Sequence, residues 1–170
     1  ESSAASDVYK RQMLKANERI DDLFKENLKI IQNDDVFSFS TDALLLGHFT
    51  EVRKNDKILD LCAGNGVIAL LLSAKGSQTI ESIEIQEQLA DMARRSFEYN
   101  DLTNRLLMHH MDLKDVYQNF KPSQYTLVTC NPPYFKSNQR HQHQKEAHKI
   151  ARHEICLLYT SDAADDSLRV

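Results

Sequence analysis

Apolar and polar positions fall in short blocks along the chain, and the period of the pattern switches from block to block. Leu28-Lys-Ile-Ile-Gln32, the turn Asn33-Asp-Asp35 and Val36-Phe-Ser-Phe39 predict a β-hairpin. Ser40 or Thr41 can then cap a helix carrying Ala43, Leu44, Leu45, Leu46 and Phe49. Lys57-Ile-Leu-Asp-Leu61 predicts a strand running into the small-residue turn Cys62-Ala-Gly-Asn-Gly66, with an apolar helix from Val67 to about Ala74 behind it. A second strand, Thr79–Glu84, precedes a helix from about Gln86 to Tyr99. A third, near Arg105–His109, precedes Asp112 and a short helical stretch, and a fourth, Tyr125–Cys130, ends at Asn131-Pro132-Pro133-Tyr134. Strands alternating with helices imply parallel pairing through right-handed crossovers. The expected class is doubly wound α/β, with these four strands ordered 3-2-1-4 and no internal repeat.

The two ends break this pattern. ESSAASDVYKRQ (1–12) and CLLYTSDAADDSLRV (156–170) carry no sustained apolar period, and both resemble translated sequencing-adapter read-through. They are expected to be foreign or disordered, leaving residues 13–155 as one partial domain. For the 170 residues, 41% hydrophobic and 27% charged content fit an ordinary globular chain. No apolar run approaches the roughly 18 residues of a membrane span. Three scattered cysteines, Cys62, Cys130 and Cys156, give neither a disulfide framework nor a C-x-x-C metal site, so a cytoplasmic setting is expected. The net charge of −4 does not favour nucleic acid, but its distribution does so locally. From Lys136 to Glu154, five bases (Lys136, Arg140, Lys145, Lys149, Arg152) face two acids, a local +3 with four histidines besides. Such a stretch can meet phosphates, and equally can be a solvated face.

The first turn carries candidate chemistry. Gly64-Asn-Gly66 lets the backbone approach a ligand closely, and the following helix points its free N–H groups at the same place. Glu84, 18 residues beyond Gly66, ends the second strand, where a carboxylate can accept both ribose hydroxyls of a nucleoside. Gly64-Asn-Gly-Val-Ile-Ala69 also satisfies G-x-G-x-x-A, so a nicotinamide cofactor and a methyl donor both remain open at this point. Asp60 leans toward a cationic donor. Asp112 can accept from an adenine amino group, or simply cap a helix.

Asn131-Pro132-Pro133-Tyr134 narrows the choice. In the order 3-2-1-4 the first and fourth strands flank the switch point, so both turns face one crevice. An exocyclic adenine amine is a poor nucleophile because its lone pair is delocalised into the ring. The Asn131 side-chain oxygen and the Pro132 carbonyl can accept its two hydrogens and favour a pyramidal nitrogen. The prolines fix φ and hold that carbonyl in place, and Tyr134 offers a stacking face for a flipped base. A proline loop stop with an asparagine turn is the bland reading of the same four residues.

Together, Asp60-Leu-Cys-Ala-Gly-Asn-Gly66, Glu84 and Asn131-Pro-Pro-Tyr134 resemble the donor-binding and catalytic motifs of Rossmann-like class I methyltransferases. More narrowly, Ile30–Asn33, Phe39–Leu46, Glu84–Arg95 and Ala151–Ile155 resemble the bacterial tRNA1(Val) adenine-37 N6-methyltransferase family. The resemblance implies S-adenosylmethionine as cofactor, N6 of an RNA adenine as acceptor, and tRNA as the favoured partner of a monomer that needs no metal. It also implies that Phe39, Thr41 and Asp42 close over the donor. Asp60 and the turn Cys62, Ala63, Gly64, Asn65, Gly66 would hold its methionine part, Glu84 with Ile85 its ribose, and Asp112 with Leu113 its adenine, beside Asn131. The family pattern has glycine where Cys62 stands, and the family continues for several elements after Ile155. The resemblance therefore implies a chain that is poorly stable or inactive by itself.

Other residues are expected to do less. His141-Gln-His143 with His148 lacks a carboxylate or cysteine at ligand spacing and reads as a solvated stretch or an RNA contact. His109-His110 read as strand-end residues, Cys130 as a small buried core residue, and Arg94-Arg95 as a solvent-facing pair. The competing functions are a protein glutamine N5-methyltransferase, a DNA or ribosomal RNA adenine methyltransferase, a nicotinamide oxidoreductase, and a donor- or RNA-binding module without catalysis.

Overall fold

The computed structural model describes residues 13–23, 27–36, 39–76 and 79–132. Two sheets form. Strands β1 (Glu18–Leu23) and β2 (Leu28–Asn33) make an antiparallel ribbon in which Glu18 pairs with Asn33 and Leu23 with Leu28. A hairpin is therefore present, but its partner strand is not the expected one. Val36 lies in a turn and is buried, while Phe37 and Ser38 lie outside the described residues. The strand preceding Leu28 escapes the hydrophobic pattern because four of its six residues, Glu18, Arg19, Asp21 and Asp22, are charged. Only pairing with β2 makes it a strand.

Helix α1 (Thr41–Phe49) is capped by Ser40, whose hydroxyl accepts from the Ala43 N–H at 3.4 Å. The main sheet then builds up as expected: β3 (Ile58–Leu61), α2 (Val67–Ser73), β4 (Ile80–Glu84), α3 (Glu87–Tyr99), β5 (Leu106–His110), a 3₁₀ turn with the short helix α4 (Val116–Asn119), and β6 (Leu127–Cys130). All pairings are parallel, in the spatial order β5-β4-β3-β6. This is the α/β arrangement anticipated from the alternating pattern. Among the described residues no helix is long and apolar enough to cross a membrane.

The main core is formed by Ile58, Ile68, Leu70, Leu72, Ile80, Ala90, Ala93, Phe97 and Leu106, with Phe39 packed at its margin. A second cluster, Ile31, Val36, Leu89 and Met92, seats the ribbon on α3. The outer edge of β2 meets side chains instead of another strand. Asn100 accepts from the Lys29 N–H at 2.8 Å and donates to the Lys29 carbonyl at 2.7 Å. The Ser96 hydroxyl accepts from the Ile31 N–H at 2.9 Å, and the Asn65 amide donates to the Ile31 carbonyl at 3.2 Å. Polar edge groups buried this way need such partners. Arg95, expected to face solvent, instead ties the ribbon to α3: it pairs with Glu18 at 2.5 Å and Asp91 at 2.6 Å, and donates to the Met13 carbonyl at 2.6 Å. Its side chain is only 13% exposed, and that of Glu18 2%.

Candidate active site

The chain order reverses between β3 and β6, and in such sheets ligands bind in the crevice beyond the carboxyl ends of the strands at that point, next to which β4 also ends. Leu61 at the end of β3 pairs in register with Cys130 at the end of β6. The turn beginning at Cys62 and the peptide Asn131-Pro132 therefore leave adjacent strand ends side by side. Cys62, Gly64 and Gly66 all adopt left-handed backbone, with φ of 54°, 57° and 82°. The two glycines answer different demands. A Cβ on Gly66 would lie 2.8 Å from the Phe97 ring, so this glycine allows α2 to start against α3. A Cβ on Gly64 would meet nothing within 4 Å, so this residue borders open space. Cys62 holds a conformation that glycine adopts far more readily.

Glu84 stands over the turn. Its carboxylate accepts from the Gly64 N–H at 2.8 Å and, through the other oxygen, from the Gln86 N–H at 2.8 Å. Burial pushes its pKa up, and these backbone N–H groups partly offset that. The Ile85 N–H also bonds this carboxylate, and two carboxylate oxygens, with about four lone-pair sites between them, keep capacity for hydroxyl donors. The geometry thus orients the acid from both sides, something its sequence position did not disclose.

Asp60 is fully buried in the middle of the sheet. Thr129, its in-register neighbour on β6, donates its hydroxyl to Asp60 Oδ1 at 2.7 Å. Asp60 Oδ2 has no hydrogen-bond partner among the described residues. Burial raises its pKa to about 7, with the Thr129 bond opposing and the Glu84 charge adding to the rise. An orphaned carboxylate oxygen one residue before the glycine turn suits a cationic ligand, and Glu84 suits a ribose, so these residues fit S-adenosylmethionine. Thr129 escaped the sequence reading because only the strand pairing puts it against Asp60.

The remaining candidates separate into groups. The Asn65 side chain is buried and committed to Ile31, which leaves its backbone to face a ligand. Ala63 is buried, its N–H donating to the Ile83 carbonyl at 2.9 Å. Asp112 caps the 3₁₀ turn, accepting from the Lys114 N–H at 3.0 Å, with Leu113 following half-buried. Thr41 and Asp42 are exposed in the first turn of α1, and Ile85 is 36% exposed next to Glu84. Asn131 and Pro132 are half-buried. Cys130 is exposed, contrary to the expectation of a core residue: it ends β6, the last strand of the sheet among the described residues. Pro133, Tyr134, Lys136, Arg140, Lys145, Lys149 and Arg152 lie outside the described residues, as do His141, His143, His148 and Cys156.

Comparison with known proteins gives the same picture at family level. Residues 27–157 match the family model described as the methyltransferase small domain. The tRNA1(Val) (adenine(37)-N6)-methyltransferase of Aliivibrio fischeri is 38% identical over 121 residues, covering 71% of this chain and 50% of that protein. The chain spans about half the length of the first curated relatives it matches. Among solved structures, the Pyrococcus abyssi tRNA (uracil-54, C5)-methyltransferase in complex with S-adenosyl-L-homocysteine superposes with a TM-score of 0.54 at 20% identity, over 71% of this chain and 29% of that one. Methanocaldococcus jannaschii Trm5, solved with adenosine, gives 0.55 at 15% identity, over 71% and 36%. These likenesses concern the fold, which is that of Rossmann-like class I methyltransferases. With the family model spanning most of the residues and the glycine turn, Glu84 and the β6 terminus gathered at one crevice, the chain belongs to the methyltransferase small domain family.

Proposed function

We propose that the protein of which this chain is part transfers a methyl group from S-adenosylmethionine to the exocyclic N6 of an adenine in RNA, most fittingly tRNA. One observation carries the reading: the Leu61–Cys130 register, which makes the donor turn and Asn131-Pro132 neighbours at adjacent strand ends. The names of the curated relatives supply the acceptor. When bound, the donor contributes an electrophilic methyl on a sulfonium centre. Glu84 orients the ribose through oxygens that its own backbone partners hold still, and Asp60 offers a carboxylate to the cationic part. The Asn131 side-chain oxygen and the Pro132 carbonyl accept the two N–H hydrogens of the base, so the nitrogen lone pair turns toward the methyl group. Catalysis in this scheme rests on positioning and on preset dipoles. Tyr134 stacks on the base, and Lys136, Arg140, Lys145, Lys149 and Arg152 meet RNA phosphates.

The test uses labelled donor with tRNA, total DNA and a release-factor protein as parallel acceptors. Label recovered as N6-methyladenosine from tRNA supports the proposal, and Asn131→Ala should abolish it while donor binding persists. Label on a protein glutamine amide would replace it with the protein glutamine N5-methyltransferase reading.

A further inference from the structure

Cys62 and Cys130 stand 68 positions apart in sequence, yet the fold brings them to one place. Cys130 pairs in register with Leu61, the last residue of β3, and Cys62 follows it directly in the turn. Neighbouring strands lie about 4.8 Å apart, so a one-residue diagonal falls within the roughly 4.4–6.8 Å Cα window of a disulfide. The two thiols are in side-chain hydrogen-bond contact with each other. The left-handed φ of 54° at Cys62 is what directs the chain there into the donor turn instead of onward along the strand. Cys130 is exposed and Cys62 half-buried, so a small oxidant can reach the pair. Asp60, whose charge acts on Cys130, and Asn131, the following residue, border the same spot.

We propose that Cys62 and Cys130 form a peroxide-sensitive dithiol at the mouth of the crevice, whose disulfide locks the donor turn to the end of β6. The oxidant is hydrogen peroxide. The Cys130 thiolate attacks one peroxide oxygen, the O–O bond breaks, and hydroxide leaves with a proton as water, giving a sulfenic acid. The Cys62 sulfur then attacks the Cys130 sulfur, the S–O bond breaks, and a second water departs with the Cys62 proton. Two thiols are oxidised by two electrons and one hydrogen peroxide is reduced to two waters. The hydrogen bond from Cys62 draws the Cys130 thiol below its ordinary pKa, against partial desolvation of its sulfur and the Asp60 charge, which favours it as the attacking thiol. The site consequence rests on the donor reading above: a strapped turn can no longer adjust around the ligand space beside Gly64.

The chain is fully reduced, exposed to hydrogen peroxide, alkylated and mapped by mass spectrometry without reduction. A peptide pair joined through Cys62 and Cys130 is expected, with S-adenosyl-L-homocysteine binding about tenfold weaker after oxidation and restored by dithiothreitol. Cys156→Ser should behave the same, and Cys130→Ser should lose both the cross-link and the peroxide response. Cross-links through Cys156 alone, two intact thiols after treatment, or weakened binding without the Cys62–Cys130 link each overturn the proposal. Binding by the reduced chain tests the donor reading separately, because the cross-link is read whether or not the ligand binds.

Discussion

Asp60 shows how a single buried group can set a pH response. Its ordinary value of 3.8 applies to the unfolded chain, while the folded chain holds it at about 7. Between those values the folded state keeps a proton that the unfolded state has released, so stability falls as pH rises from about 4 to 7. Asp60→Asn should flatten that slope in thermal melts across the window, and an unchanged slope would assign the response elsewhere. Gly66 makes a different demand. Any side chain there meets Phe97 and also strains a positive φ, so Gly66→Ala should cost about 2–3 kcal/mol in urea unfolding. Gly64→Ala has open space and should lose about 1 kcal/mol through backbone strain alone, its larger effect falling on ligand binding. The glycine pattern was visible in the sequence, but the division of labour between the two residues was not, since it depends on which one α3 approaches.

The N-terminal ribbon is held less by apolar contact than by a row of side chains that satisfy the β2 edge. Asn100, Ser96 and Asn65 reach that edge from the end of α3, from α3 and from the glycine turn, and Arg95 fastens Glu18 from the same helix. Removing the guanidinium leaves the nearly buried Glu18 carboxylate without its cation, so Arg95→Ala should destabilise the fold by about 3 kcal/mol in chemical denaturation. An effect below a few tenths would show that the pair is idle. Asn65→Ala should loosen the ribbon from the turn, raising amide exchange along Leu28–Asn33 ahead of the main sheet. None of these partnerships has a sequence signal. Glu18, Arg19, Asp21 and Asp22 look like a solvated run, and a polar strand becomes recognisable only once its partner and its helix are in place.

At the scale of the molecule, the ligand space joins elements from three strand ends, so a bound donor should stabilise them together. S-adenosyl-L-homocysteine at about 100 times its Kd should add about 2.7 kcal/mol to the folded state, read as a single shifted melting transition. No shift would leave the crevice without its proposed ligand. Periodicity alone predicted β3 to β6, their helices and the parallel sheet, because apolar spacing and turn residues are local and burial follows them directly. The places of the glycine turn, Glu84 and the Asn131-Pro132 peptide could be read for the same reason: each stands at a strand end, and local pattern marks where strands end. The structure decided what depends on register. It paired Thr129 with Asp60, set Cys130 against Cys62, fitted the charged strand β1 to β2, and buried Arg95 against Glu18. Those contacts join residues tens of positions apart, and the energies that choose among such pairings are summed over the whole packed core, so no local stretch of sequence contains them.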